Sequence, residues 1–505
     1  MNLNEQQQQR LDKAEELRQQ GIEPYPPRSN RSHTAAQALE QFAEVESTQD
    51  GNVEQEPIRV AGRVTSVRNM GKSIFAHVKD GSGAIQLYLR RGNLSDEDFD
   101  AFRRLIDLGD FVEAGGRLFR TRTGEISIDV TDFVLLSKAI NPPPEKWHGL
   151  SDTETRYRQR YADLISSDEV RQVFLVRSRM IRAMRRFFDQ HGFIEVETPT
   201  LQPLYGGAAA RPFTTHYHAL DQEFYLRIAD ELYLKRLLVG GFERVYEICK
   251  DFRNEGIDTR HSPEFTMLEF YIAYADYTDV MELCEQMIPF VAQQALGTLQ
   301  ISYDGHDVDL TPPWPRLKLR DALLDVTGID FLEITDQTEL YRRAKDVGAD
   351  VEPTTVWPRI VDELMKTFVR PNLIQPTFLI DYPVELSPLA KRSPENPRLV
   401  ERFQPFIAGL EMGNAYTELN DPMDQLQRFI EQARDRAAGD AEAMMVDEDY
   451  VNALMYGMPP TGGFGLGIDR LAMLLTDQQN IREVILFPHL RSKAVLGLSE
   501  DSDDS

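Results

Sequence analysis

The chain has 505 residues, 41% hydrophobic and 27% charged, with only 2 cysteines, Cys249 and Cys284. Its length exceeds one ordinary core and suggests about three domains, and two cysteines are too few for a disulfide framework or a cysteine zinc site. The polar start, Met1 to Arg10, lacks the apolar core of a secretion signal, and no window approaches the ~18 apolar residues of a membrane span, so a cytoplasmic protein with reduced core thiols and no membrane partner is expected. The formal net charge of −26 argues against a polyanionic partner, yet Arg59 to Lys138 holds 13 Lys and Arg against 11 Asp and Glu, so global charge does not exclude nucleic acid.

Residues 1–57 read as an N-terminal helical and polar extension. Asn4 to Gln20 is a polar helix with Leu3, Leu11 and Leu17 as a thin apolar stripe, ended by Gly21 and the Pro-rich Glu23 to Pro27. A short second helix is expected near Ala35 to Val45. From Ile58 the hydrophobic period becomes two. Ile58 to Val64, Ile74 to Val78, Ile85 to Leu89, Phe111 to Leu118 and Ile126 to Leu136 read as strands, and Asp96 to Ile106 as a helix after the third. Five strands with a helix in that place, over 58–138, is the arrangement of an OB-fold barrel, although pattern alone also allows another small barrel.

Asn141-Pro142-Pro143-Pro144 is a stiff stretch within an expected linker, 139–165. A larger domain follows over 166–498, and 499–505, with Glu500, Asp501, Asp503 and Asp504, reads as a disordered acidic tail. The domain opens on a helix from about Asp168 to Gln190, whose Phe174, Ile181, Met184 and Phe188 form one apolar face. Its Arg171, Arg177, Arg179, Arg182, Arg185 and Arg186 read most simply as a solvated face. Gly192 stops it, and Phe193 to Glu197 alternates like a strand.

Three stretches carry chemistry. Val245 to Cys249 and Glu264 to Tyr271 read as strands joined by a charged loop. Phe265, Met267, Glu269 and Tyr271 share one face of the second strand, and Arg253 and Glu255 share a face of the first. Buried charges need partners, and taken alone a structural ion pair of Arg253 with Glu255 or Glu269 explains them. Gly462 to Gly467 is a Gly-rich strand entering a helix, with Arg470 in the first turn. The last glycine of a dinucleotide fingerprint falls on Ile468, so that reading fails. Gly409 to Asp421 holds Glu411, Asn414 and Glu418, a metal or cation pocket if a bend brings the two glutamates together.

Together these stretches resemble, in order, the three signature motifs of class II aminoacyl-tRNA synthetases. They are the arginine-studded helix with Gly192 to Pro199, then Phe252-Arg253-Asn254-Glu255 with Arg260 to Phe265, then Gly465 to Arg470. Within that class His148-Gly149-Leu150, Arg156 to Tyr161, Gly206 to Phe213, Glu231 to Arg236 and Thr417 to Asp421 are similar to the lysine-specific group. The resemblance implies an α+β chain: an OB-fold anticodon-binding domain before an antiparallel sheet flanked by helices, working as a homodimer. It implies ATP, Mg²⁺, L-lysine and tRNA(Lys) as substrates and partners.

By the same resemblance, Arg253 and Arg470 are the catalytic arginines. Arg253 contacts the ATP α-phosphate and the lysine carboxylate, and Phe265 and Arg470 sandwich the adenine. Arg260 and His261 meet the outer phosphates, and Glu255 and Glu411 complete the ATP site. Glu418 and Tyr271 receive the side-chain ammonium, Glu231 and the Gly207 backbone the α-amino group, and Glu269 and Asn414 finish the wall. Phe75 stacks on an anticodon base and Gln86 reads its edge. The group usually has two metal-binding glutamates seven residues apart. Glu411 matches the second, but the first falls on Gln404. Two other readings are a synthetase-like enzyme that attaches lysine to a protein, which the barrel segment opposes, and a non-catalytic RNA-binding paralogue, which the retained Arg253 and Arg470 oppose.

Overall fold

A computed structural model of the chain describes residues 3–48, 56–144, 150, 152–437 and 444–491. The acidic tail, 499–505, and His148 and Gly149 lie outside the described residues. The chain divides into two compact units, Met1–Ser151 and Asp152–Ser505, so the expected linker is shared between them.

In the first unit α1 (Glu5–Gln19) starts on a capping box between Asn4 and Gln7. Its buried face is Arg10, Ala14 and Leu17, not the expected leucine stripe; Leu3 precedes the helix and is exposed. Arg10 can be buried because its guanidinium donates to the carbonyls of Leu108 and Ala139, at 3.0 and 2.9 Å. α2 covers Ala35–Thr48. Strands β1 (Ile58–Asn69), β2 (Ser73–Lys79), β3 (Ala84–Arg90), β4 (Phe111–Arg120) and β5 (Ile126–Ser137) close into a barrel in the order β1-β2-β3-β5-β4. Helix α3 (Asp96–Leu105) joins β3 to β4, which is the OB-fold arrangement. Alternate residues Ile74, Ala76 and Val78 of β2 fill the barrel, leaving Phe75 and His77 on its outer face.

The second unit begins with short helices, Thr153–Arg158 and Arg160–Ser166, whose Arg156 and Tyr157 both bond Glu483. Then comes α4 (Asp168–Gln190), capped by the Ser167 hydroxyl and with Asp168 and Glu169 at its positive end. Its core face is Val176, Met180, Ala183, Met184, Phe187 and Phe188, with Phe174 and Ile181 only half-buried at its margin.

The sheet is built from β6 (Ile194–Glu195), β7 (Arg244–Phe252), β8 (Glu264–Ala273), β9 (Arg316–Lys318), β10 (Thr377–Pro383), β11 (Leu399–Ile407), β12 (Leu410–Glu411), β13 (Gly413–Thr417) and β14 (Thr461–Gly467). Their order is β9-β10-β11-β13-β14-β8-β7-β6, with β12 pairing β11 beside that path. All pairs are antiparallel except β6 with β7 and β9 with β10. The strand expected over Phe193 to Glu197 is only β6, two residues long. One further bond, Val196 N–H to the Tyr246 carbonyl, continues it before Pro199, which has no N–H to donate. Helices α4, α6 (Tyr277–Leu296) and α7 (Ile468–Leu475) contribute to one core with Leu268, Phe270 and Ile272 of β8 and Phe464 of β14. Between them in sequence, α5 (Glu231–Val239) belongs to the other large core. Aromatic stacking anchors the α4 face: the Phe188 ring lies 4.6 Å from Tyr246 and 5.3 Å from Phe270.

Candidate active site

β7 and β8 pair over their whole length, from Arg244 opposite Ile272 to Phe252 opposite Glu264. With alternate residues of β8 turned into the core, Phe265, Met267, Glu269 and Tyr271 line a cavity of about 480 Å³. Arg253 and Glu255 do not share a strand face as expected. β7 ends at Phe252, and both lie in the following loop, which Arg253 N–H closes onto the Pro263 carbonyl at 2.9 Å. The loop still delivers both to the cavity, together with Arg260 and His261. Gly207, Glu231, Glu411, Asn414, Glu418 and Arg470 line it as well, so every residue expected to meet lysine or ATP borders one space.

At one end are arginines and rings. The Arg253 guanidinium lies 5.0 Å over Phe265 and makes only long bonds, 3.4 Å, to the Ile228 carbonyl. Its contacts are with the Ile228 carbonyl and the Phe265 ring and not with Glu255 or Glu269, so the ion-pair explanation for Arg253 fails. Arg470 donates to the Glu411 carbonyl at 3.1 Å and lies 3.2 Å from His261 Nε2. Asp258, which sequence reasoning gave no role, organises the loop. It accepts from the backbone N–H groups of Arg260 and His261 and from His261 Nδ1 at 2.7 Å. Partial burial works to raise its pKa, but these bonds hold it below the usual range.

Glu411 and Gln404 both border the cavity. β12 breaks at Met412, whose N–H bonds the Pro405 carbonyl and whose side chain enters the core, so Glu411 and Glu418 border the same cavity, but at its two ends and not as one cation pocket. Glu411 and Gln404 offer oxygens, the donors a hard cation takes, so these residues fit a magnesium ion carried by ATP.

The opposite end is a buried acidic wall. Glu231, Glu269 and Glu418 are 5%, 6% and 1% exposed. Tyr271 donates to Glu269 Oε2 at 2.8 Å, and Tyr416 donates to Glu231 Oε1 at 2.6 Å. The Lys235 ammonium, fully buried, pairs with both Glu231 and Glu418. Burial, then the charges of Glu231 and Asp251, pushes Glu269 up to about 8. Burial also raises Glu418, against the pull of Lys235. Three buried carboxylates against one resident ammonium leave this wall in need of more positive charge. The space for it is made by Gly463, where a Cβ would come within 2.1 Å of Glu418 Oε1 and 2.4 Å of the Tyr271 ring. Gly207 has φ of +87°, a conformation suited to glycine, and a Cβ there would press on Ala229 and Glu231. Asn414 accepts from Arg402 Nε at 2.7 Å, which orients its amide beside the wall.

Lys235 lies within the Glu231 to Arg236 stretch, in which the resemblance assigns a role only to Glu231. Its signal was the i, i+4 spacing from Glu231 inside Glu231 to Val239, a helix with apolar residues on several sides. Arg177 was read with the solvated arginines, but it pairs with Asp469 at 2.6 Å and donates to Thr266 Oγ1 at 3.0 Å. Asp469 Oδ2 also accepts from the Thr266 N–H at 2.7 Å, tying the helix of Arg470 to the strand of Phe265.

On the barrel, Phe75, Tyr88 and Phe119 form a ladder with ring separations of 4.9 and 5.6 Å. Gln86 is more buried than an open reading head: its amide donates to Glu125 at 2.6 Å and accepts from Ser127 at 2.7 Å. Glu125 also meets His77 Nε2 at 2.6 Å.

Comparison with known proteins agrees with this geometry. Residues 152–491 match the family model described as tRNA synthetases class II (D, K and N), and residues 58–136 match that of an OB-fold nucleic acid binding domain. The chain is 57% identical to a lysine–tRNA ligase of Roseiflexus castenholzii over 494 residues, 98% of this chain and 100% of that one. It is 56% identical to that of Chloroflexus aurantiacus, covering 98% and 100%, and 52% identical to that of Dehalococcoides mccartyi, covering 97% and 98%.

Proposed function

Because the chain belongs to the class II aminoacyl-tRNA synthetases, in the lysine–tRNA ligase group, we propose that this cavity binds L-lysine at the acidic wall and ATP at the arginine end. It is an ATP-dependent ligase that activates lysine and passes it to tRNA. The observation that carries the assignment of ends is the juxtaposition, in one space, of Glu231, Glu269 and Glu418 with Arg253, Phe265 and Arg470.

The chemistry follows from charge. A carboxylate oxygen of lysine attacks the ATP α-phosphorus, that P–O bond forms, and the bond to the leaving pyrophosphate breaks. Arg253 neutralises charge building on the α-phosphate, and Arg470 and Phe265 hold the adenine between a cation and a ring. Arg260 and His261 steady the outer phosphates. Magnesium bound with ATP supplies charge neutralisation on the phosphates, and Glu411 and Gln404 are the residues that would hold it. In the second step a ribose hydroxyl at the 3′ end of tRNA(Lys) attacks the acyl carbon and AMP leaves. No side chain has to act as a nucleophile; positioning carries the rate.

Glu418 and Tyr271 take the side-chain ammonium, and Glu231 with the Gly207 backbone the α-amino group. Residues 58–138 serve the anticodon and 166–498 the reaction. The enzyme acts as a cytoplasmic homodimer. Exposed Leu175 of α4, Ile194 and Phe487 supply apolar surface for that contact.

Charging is tested by incubating the enzyme with labelled lysine, ATP, tRNA and cell protein. Label is expected in tRNA; label in protein with none in tRNA would contradict the reading. Changing Phe75 to Ala should raise KM for tRNA by roughly 5- to 160-fold, the loss of about 1–3 kcal/mol of base stacking. Pyrophosphate exchange, which needs no tRNA, should be unchanged. An unaltered KM for tRNA would remove Phe75 from the anticodon surface. Changing Gln404 to Glu should lower the Mg²⁺ concentration for half-maximal activation several-fold, because a carboxylate holds the ion more strongly than an amide; an unchanged Mg²⁺ titration counts against a metal role at that position.

A further inference from the structure

Behind the acidic wall lies a second group of acids that the reaction does not use. Glu247, Cys249 and Asp251 alternate along β7 and therefore share a face. Glu247 stands directly opposite Glu269 of β8, a like-charged pairing that costs stability unless something offsets it. Asp230, at the start of α5, completes the group. An aspartate in that position ordinarily caps the helix, but the Asp230 side chain makes no cap bond. It is fully buried, and no N–H or hydroxyl donor reaches either carboxylate oxygen; the Glu269 carboxyl lies beside it.

The other partners are accounted for. Arg227 takes Glu247 Oε1 at 2.7 Å and lies 3.4 Å from Asp251 Oδ1. Thr198 donates to Glu247 Oε2 at 2.7 Å through its hydroxyl, and its N–H at 3.1 Å. The Cys249 thiol points to Asp251 Oδ1 at 3.8 Å. Tyr271 donates to Glu269 Oε2. That leaves both oxygens of Asp230 and Oδ2 of Asp251 without an N–H or hydroxyl donor, while Glu269 keeps a second oxygen. One oxygen from each of Asp230, Asp251 and Glu269 lies within 4.8 Å of the other two, close enough for one ion to reach all three.

We propose that Asp230, Asp251 and Glu269 form a buried site for a hard divalent cation of the Mg²⁺ or Mn²⁺ kind, distinct from the nucleotide end of the cavity. Unpaired buried carboxylates are costly. Three of them, with the Arg227-paired Glu247, carry four negative charges against the guanidiniums of Arg227 and, farther out, Arg253, which leaves two negative charges for one divalent ion to balance. The donors left free are carboxylate oxygens, which select hard cations over zinc. Glu269 borders the open cavity and supplies the way in. The ion would fix the Glu269 carboxylate from behind, so the site underpins the lysine wall without depending on lysine being the substrate.

The test is titration of Mn²⁺ into the full-length chain, followed by electron paramagnetic resonance, with no ATP or lysine present. A Glu411→Gln background removes the carboxylate at the nucleotide end. One Mn²⁺ per chain is expected to bind in that background, and Asp230→Asn should weaken it at least about tenfold. Asp251→Asn should do the same, and replaces Asp230→Asn if that variant does not fold. Independently of variants, chelation should lower the melting temperature of the unaltered chain and Mn²⁺ should restore it. No Mn²⁺ bound in the Glu411→Gln chain, unchanged binding in the folded aspartate variant, or a melting temperature indifferent to chelation would overturn the proposal and leave protons as the neutralising charge. None of these readouts moves if the amino acid proves not to be lysine.

Discussion

Replacing Arg253 by Gln should lower lysine-dependent pyrophosphate exchange by about 10²–10³-fold, chiefly in kcat. The argument is that its charge matters most when the α-phosphate carries its greatest negative charge, in the transition state, so that both kcat and kcat/KM fall. Its direct contacts with the fold are few: its hydrogen bonds to the Ile228 carbonyl are long, and its charge acts on buried Asp251 only from a distance. The melting temperature should therefore shift little, as for a half-exposed residue away from the core. Exchange within tenfold of the unaltered enzyme would remove Arg253 from the reaction. A large loss of melting temperature would instead make it structural.

Replacing Glu418 by Gln is expected to raise KM for lysine by roughly 150- to 5,000-fold, the scale of ~3–5 kcal/mol for breaking a buried ion pair. Because Glu418 also pairs with the buried Lys235, the single change should destabilise the chain too. A second substitution, Lys235→Met, separates the two roles. It removes the ammonium left underpaired, so the double variant should recover much of the lost melting temperature. It should not recover lysine affinity, since the carboxylate facing the space beside Gly463 is still missing. If lysine affinity returns in the double variant, Glu418 acts only by holding Lys235. If neither variant alters KM for lysine, the acidic wall is not the amino-acid site.

The strand face of Phe265, Met267, Glu269 and Tyr271 was legible because a period of two directly assigns residues to faces. The barrel was legible for the same reason. What the sequence concealed were partners far apart in the chain. Arg177 looked like its solvated neighbours because only the tertiary fold brings Asp469 to it, 292 positions later. Lys235 looked like half of an ordinary helical ion pair until Glu418 closed on its other side. Asp230 occupies a position where aspartate needs no special explanation, and only its missing cap bond and oxygens that no N–H or hydroxyl donor reaches set it apart. The resemblance implies that Gln86 reads a base edge, but Glu125 and Ser127 engage both ends of its amide, partners that the sequence does not reveal.

The most direct test of the central claim is exchange of labelled pyrophosphate into ATP, measured across all twenty amino acids with the full-length enzyme. The charge of the wall predicts exchange with lysine, at a kcat/KM far above that of any neutral or acidic amino acid. Arginine, the other long cation, should be second at best, since its planar, forked head differs from the compact ammonium suited to the space between Glu418 and Tyr271. Absence of lysine-dependent exchange, or equal exchange with an uncharged amino acid, would contradict the account.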